Sequence, residues 1–326
     1  MANLTTHYLG LQLRNPVIAG SSGLMNSIKN LESAEEAGAG AVVLKSIFEE
    51  QILMEIRQGL DQSDLHVHPE ALDYMSRMTR EHSIDAHLKL IRTAKASLHI
   101  PVIASVNCIH SGEWMEYSRR IEDAGADALE LNVFITDVSA AGSAEIESRY
   151  LRILSDIQDQ ISIPVVMKIG SQFSNPAKMI RDLSRQGADG LVLFNRFWSP
   201  DIDVDKSTIV PASPFSAPAE LSLPLRWIAL LSDQVDCDLC GSTGVHDHEA
   251  VIKLIMAGAQ TVQVSSILYK NGIAHLKTIL QGMHDWLDGH QHAHIDEIRG
   301  MMSSKSDQET KIWGRAQFIQ YYSELE

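Results

Sequence analysis

Apolar residues in this chain fall in short unbroken runs, and each run stops on small or polar residues. Val17–Ala19 precedes Gly20-Ser21-Ser22-Gly23, Ala41–Leu44 precedes Lys45-Ser46, Val102–Val106 precedes Asn107, and Ala128–Leu131 precedes Asn132. The pattern continues with Pro164–Met167 before Lys168, Gly190–Phe194 before Asn195, residues 236–242 before Thr243-Gly244, and Thr261–Val264 before Ser265-Ser266. Runs without polar alternation are what strands buried on both faces of a parallel sheet require. Between them lie stretches predicted as helices: Ser27–Ala37, 112–124, about 144–160, 175–186, Leu225–Ser232, and one capped by Asp247 or His248. The last carries Ala250, Val251, Leu254, Ile255 and Ala257 on one stripe and stops at Gly258, a residue able to take positive φ.

Strand starts lie roughly 25–60 residues apart, enough for a crossover helix each time. EEAGAGAVV, EDAGADALE, SRQGADGLV and IMAGAQTVQ repeat one helix-to-strand wording. That internal repetition argues for a closed (β/α)8 TIM barrel over a dinucleotide-binding sheet, and no GxGxxG opens a βαβ unit. Ahead of it, Leu4–Arg14 reads as a small hairpin turning at Gly10. Two long connections, 47–81 after strand two and 196–222 after strand six, leave from the face where barrel active sites form. The expected organisation is a barrel over 1–289 and a helical C-terminal extension over 290–326, helical at His294–Met302 and Gln308–Tyr322.

Composition narrows the partners. Across 326 residues, 27 basic side chains stand against 42 acidic ones, a net charge of −15, which argues against nucleic acid or an anionic membrane. With 44% hydrophobic residues the core needs no metal or disulfide. Cys108, Cys237 and Cys240 are too few for a disulfide framework, and the Cys237–Cys240 spacing, without a second pair and inside an apolar strand, reads as buried structural thiols. The N-terminus has no signal-peptide pattern and no apolar run reaches the ~18 residues of a membrane span, so a cytoplasmic location is expected.

The strand ends carry the chemistry. Lys45, Asn107, Asn132, Lys168 and Asn195 each end an apolar strand, so a barrel gathers all five at one mouth. A lysine there is costly unless it meets an anion or strong acceptors. Two lysines and three amides suit carbonyl and ring-nitrogen acceptors, and a flavin, whose N1–C2=O edge gains negative charge on reduction, fits that lining. Thr243-Gly244 and Ser265-Ser266 end the seventh and eighth strands, where barrels often hold a phosphate. His246-Asp247-His248 and His290/His292/His294 form no convincing metal set, because Asp247 suits a helix cap and the second group lies in a polar tail.

NPVIAGSSG, GAGAVVLKS, GADALELN, PVVMKIG, GLVLFN and AGAQTVQVSSILY resemble, in order, the motifs of the dihydroorotate dehydrogenase family, from about Leu4 to Gly289. SVNCIHSGEWMEYSRRIEDAGADALELN is also similar to the pyrimidine-reducing portion of dihydropyrimidine dehydrogenase. The resemblance implies an FMN-binding barrel that oxidises or reduces a C–C bond of dihydroorotate or a related pyrimidine-like ring. Carried over, it implies FMN contacts from Gly20, Ser21, Lys45, Ser46, Asn107, Asn132 and Phe194. Lys168 stands at the flavin N1–O2 edge, and the phosphate falls to Thr243, Gly244, Ser265 and Ser266. Lys45, Asn132 and Asn195 are implied on the substrate side, and a homodimer as the assembly, with 196–222 a surface for it.

The departures concern chemistry. Ile135 occupies the position of the family's Cys or Ser base, Asp137 replaces a substrate-binding asparagine, Arg196 stands where Ser or Thr is usual, and the Asn-containing loop after strand two is absent. Thr136, His66, His68 and Asp137 are the stand-in bases, and Cys108 reads as structural. Three functions follow: an FMN-dependent oxidoreductase, an FMN-binding protein without catalysis that serves a binding or regulatory role, and, more weakly, a phosphate-sugar enzyme. No iron–sulfur pattern occurs in the chain.

Overall fold

The computed structural model describes residues 1–48, 69–107, 114–135, 142–196, 200–305 and 313–314, with backbone only at 48, 69–80, 114 and 211. An N-terminal hairpin pairs β1 (Thr6–Tyr8) with β2 (Leu11–Leu13), and Leu9 and Gly10 turn it with φ of 56° and 72°. The barrel strands follow: β3 (Val17–Ala19), β4 (Ala41–Val43), β6 (Val102–Asn107), β7 (Ala128–Val133), β8 (Val165–Ile169), β9 (Gly190–Leu193), β12 (Asp238–Ser242) and β13 (Thr261–Val264). They run parallel in the order β4-β3-β13-β12-β9-β8-β7-β6, and β4 pairs with β6 to close the ring. This is the predicted (β/α)8 barrel. A short β5 (Ile47–Phe48) extends the pairing along β6.

Helices α1 (Ile28–Glu36), α2 (Pro69–Ser97), α3 (Trp114–Asp123), α4 (Ser143–Gln158), α5 (Pro176–Arg185), α6 (Ser222–Leu231) and α7 (His248–Ala257) cross between strands. The side chain of Asp247 caps α7 by accepting from the Ala250 N–H at 2.8 Å, and Gly258 ends it at φ 117°. After β13 come α8 (Ser266–Asn271) and α9 (His275–Gly289).

Three elements differ from expectation. The connection read as 47–81 is shorter, because Pro69 begins α2, where a fixed φ suits the first helical position. Inside 196–222, β10 (Pro200–Asp203) and β11 (Thr208–Pro211) form an antiparallel hairpin that exposes Ile202 and Ile209. The stretch expected as a helix over 294–302 is a single 3-10 turn, Ile295–Glu297, followed by turns. Its internal bonds are i→i−3 turns, such as Ile298 N–H to Ile295 O and Arg299 N–H to Asp296 O, while Gly300 N–H turns to Ile255 O, Met302 N–H to Met256 O and, just beyond, Ser304 N–H to Ala229 O. Of the helix expected over 308–322, all but Trp313-Gly314 lies outside the described residues.

The interior is layered. Tyr8, Leu9 and Leu13 of the hairpin close one end against Ile18, Val43, Ile103, Ala128, Val166, Val192 and Cys240. Two residues further along β6, β7 and β8 the inward positions are Ser105, Glu130 and Lys168, joined by Gln263 of β13, each at most 7% exposed. An apolar plug therefore lies beneath a polar layer, and that layer is the floor of the mouth.

Candidate functional site

A cavity of about 500 Å³ opens above this floor at the C-terminal strand ends. Lys168, Gln263 and Asn195 line it together with Ser242, Thr243, Gly244, Ser265 and Ser266. Ser21 contributes from the loop after β3. A smaller cavity of about 280 Å³, reaching Gln172, Phe194 and Ser222, shares Asn195, Arg196 and Thr243 with it.

The floor is one connected network. Lys168 Nζ donates to Gln263 Oε1 at 2.8 Å, and Gln263 Nε2 donates to Glu130 Oε2 at 2.5 Å. Glu130 Oε1 accepts from Ser105 Oγ at 3.3 Å and lies 4.0 Å from Lys168 Nζ. A row of hydroxyls continues outward, Ser105 to Ser46 at 2.7 Å and Ser46 to Ser21 at 3.0 Å. Beneath it, burial is the largest cause that pushes the Cys240 thiol up to about 12; a hydrogen bond with Thr261 opposes it, and the Glu130 charge adds. Burial, then the neighbouring Cys240 and Glu130, hold the Tyr8 hydroxyl well above its ordinary value. Cys237 and Cys240 are both buried free thiols, and burial raises Cys237 to about 11.

The Thr243–Ser266 end offers backbone donors. Among the described residues, the N–H groups of Thr243, Gly244, Ser265 and Ser266 donate to no protein acceptor. Thr243 and Gly244 reach this arrangement with φ of 80° and 77°. A β-branched residue at positive φ is strained, and here the Thr243 hydroxyl donates to Phe194 O at 3.0 Å, which offsets part of that cost. A Cβ at Gly244 would collide with the backbone of Leu221, and a Cβ at Gly20 would stand 2.8 Å from Ser265 Oγ. Glycine lets both strand ends come close. Over this end lies a strap held through Ser216: its N–H donates to Ser266 Oγ at 3.0 Å, its hydroxyl lies 3.2 Å from His246 Nε2, and its carbonyl accepts from Lys270 Nζ at 3.1 Å. Burial, followed by the Lys270 charge, lowers the pKa of His246.

The predicted residues divide accordingly. Ser21, Lys168, Asn195, Thr243, Gly244, Ser265 and Ser266 line the larger cavity, and Phe194 lines the smaller one. Asn195 Nδ2 donates to Asn132 Oδ1 at 2.8 Å, joining two of the strand-end amides. Ser46 lies below the surface in the hydroxyl row, and the Gly20 N–H is spent on Val264 O. Asn107 is buried at the end of β6, and Lys45 is half-buried beyond β4; neither lines the two cavities. Ile135 is half-buried, and its N–H donates to the Tyr150 hydroxyl at 3.1 Å; burial raises the pKa of that hydroxyl. His66, His68, Cys108, Thr136 and Asp137 lie outside the described residues. Sequence reasoning passed over Glu130, Gln263 and Ser105. The signal was a carboxylate and an amide inside otherwise apolar strands, ALELN and TVQV.

A phosphorylated flavin suits this set of donors. The cavity is lined by unspent backbone N–H groups, an ammonium and amide side chains.

The family model described as dihydroorotate dehydrogenase matches residues 3–287. A protein of Thermoplasma acidophilum called dihydroorotate dehydrogenase B (NAD(+)), catalytic subunit, is 27% identical over 306 residues, covering 92% of this chain and 99% of that protein. Proteins of the same name from Methanosarcina acetivorans and Pyrococcus abyssi are 27% and 25% identical, covering 92% and 91% of this chain and 95% and 98% of their own lengths. With the model match spanning the whole barrel, the chain belongs to the dihydroorotate dehydrogenase family.

Proposed function

We propose that the chain is an FMN-dependent oxidoreductase acting on a C–C bond of dihydroorotate or a related pyrimidine-like ring. The observation that carries this reading is one cavity lined both by an ammonium and by uncommitted backbone N–H groups. Bound there, FMN supplies hydride transfer. Lys168 is assigned to the N1–C2=O edge, where its charge stabilises negative charge that develops on reduction. Thr243, Gly244, Ser265 and Ser266 are assigned to the phosphate. Gly20, Ser21, Lys45, Ser46, Asn107, Asn132 and Phe194 complete the cofactor side. Lys45, Asn132 and Asn195 hold the substrate's acceptor atoms, with the Asn132–Asn195 bond fixing the orientation of that amide pair. The barrel over 1–289 is the working unit, acting as a homodimer in the cytoplasm.

A second reading, an FMN-binding protein that has lost catalysis, is favoured by one observation: Ile135 cannot move a proton, and its N–H is engaged by Tyr150. Purification tests the first requirement, since a colourless protein that takes up no FMN would sink both readings. Anaerobic addition of dihydroorotate then decides between them. Bleaching of the flavin supports the oxidoreductase; no bleaching by dihydroorotate, with bleaching by another reductant, points to a changed substrate or to the silent form. An Ile135→Cys variant that gains bleaching would locate the loss at that one position.

A further inference from the structure

Glu130 is 0% exposed in the middle of β7, yet it is joined to two different walls of the cavity. We infer that Glu130 is a positioning residue that sets the hydrogen-bond polarity of both walls, so that Lys168 presents a donor and Ser21 an acceptor to a bound flavin ring. The inference rests on the FMN reading above and extends it to a residue that does not itself line the cavity.

The first arm runs through Gln263. An ionised carboxylate only accepts hydrogen bonds and an ammonium only donates them. The Gln263 amide lies between the two, so its nitrogen must face Glu130, at 2.5 Å, and its oxygen must face Lys168, at 2.8 Å. This fixes one Lys168 proton and leaves the others for the cavity that Lys168 lines.

The second arm runs through three hydroxyls, each with one proton. Ser105 spends its proton on Glu130 at 3.3 Å, so at 2.7 Å Ser46 is the donor to Ser105. Ser46 has then spent its own, so Ser21 is the donor in the 3.0 Å contact with Ser46. The Ser46 N–H donates to Ser21 Oγ at 3.0 Å. Ser21 therefore reaches the cavity with its proton committed and one lone pair open. An acceptor on one wall and a cationic donor on the other match a heterocycle that carries both a ring N–H and a carbonyl.

Glu130→Gln keeps the size and adds an NH2 group. If that group faces Gln263, the neighbouring amide turns its own NH2 against Lys168; if it faces Ser105, the hydroxyl row reverses and Ser21 becomes a donor. Either way one wall loses its polarity.

The test uses full-length protein stripped of FMN and titrated with FMN. Glu130→Gln is expected to bind FMN at least roughly tenfold more weakly while keeping its circular dichroism. With a buried anion removed, its bound flavin is also expected to move roughly tenfold toward the reduced form in equilibrium with a reference dye, a shift that a merely structural role would not give. In double-mutant cycles with Lys168→Met and with Ser21→Ala, at least one pairing should lose less than the sum of its single changes. A folded Glu130→Gln with unchanged affinity and dye equilibrium overturns the inference, as do two additive cycles. If that variant does not fold, Ser105→Ala, which cuts only the hydroxyl arm, must weaken FMN binding non-additively with Ser21→Ala, and unchanged binding overturns the inference. Wild-type protein that binds no FMN would instead remove the functional reading beneath it.

Discussion

Two groups of strand ends at the mouth, Thr243–Ser266 and Asn132–Ile135, are built on different principles. At the Thr243–Ser266 end the donors are backbone N–H groups, and the side chains serve to set the path of the chain. Thr243 can stand at a φ of 80° because the strain is partly offset by a hydroxyl bond to Phe194 O. At Asn132–Ile135, by contrast, the base that the resemblance implies at position 135 is a side-chain property, and no backbone arrangement turns an isoleucine into a base. A site made of backbone tolerates substitution as long as the turn survives; a site made of side chains fails with one change.

The comparison can be attacked at both ends. The largest effect is expected from Gly244→Val: a side chain at φ 77° that collides with the Leu221 backbone should close the phosphate end. FMN affinity, read by flavin fluorescence, should fall more than roughly a hundredfold, because strain of ~2–3 kcal/mol adds to the lost donors.

Next is acid, which acts on the frame and so sets the window for testing either end. His87 is buried beside the Tyr117 hydroxyl, with Nε2 unpartnered, and burial lowers its pKa from 6.5 to about 4. The unfolded chain takes up this proton near 6.5 and the folded protein only near 4, so the stability is present above 6.5 and is lost as pH falls toward 4. Urea unfolding should show a loss of roughly 3 kcal/mol across that range, reduced in His87→Gln.

Lys168→Met removes a charge-assisted donor at the ring end. It should weaken FMN binding by roughly 10–100-fold and make the bound flavin harder to reduce, measured by titration and dye equilibrium. The smallest effect belongs to Thr243→Gly. Relief of positive-φ strain and loss of the Phe194 bond should nearly cancel, leaving stability and FMN affinity within ~1 kcal/mol of wild type. A large loss there would mean that the phosphate end depends on side chains after all, and the contrast between the two ends would fail.

Much of the fold was legible because both-face burial and helix-end glycines are local signals. The eight apolar runs became the eight barrel strands, and Asp247 and Gly258 cap α7 as their residue types suggest. The helix expected at 294–302 failed for a physical reason: the Gly300 and Met302 N–H groups bond to Ile255 O and Met256 O across the structure, which helical spacing cannot reveal. In the site, the strand-end residues were visible because each interrupts hydrophobicity at a predictable place. Glu130 and Gln263 were not, because in a strand buried on both faces the hydropathy pattern does not say which residues point inward.

The sequence by itself determined the number and order of the strands, the glycines that let their ends approach, and which amino acids stand at the mouth. Only the tertiary structure decided what those residues do to one another. Barrel register brings Glu130 of β7, Gln263 of β13 and Lys168 of β8 into one chain of hydrogen bonds across positions 130, 263 and 168. A low-polarity interior makes an unpaired buried charge costly, and for Glu130 and Lys168 the partners come from strands distant in sequence.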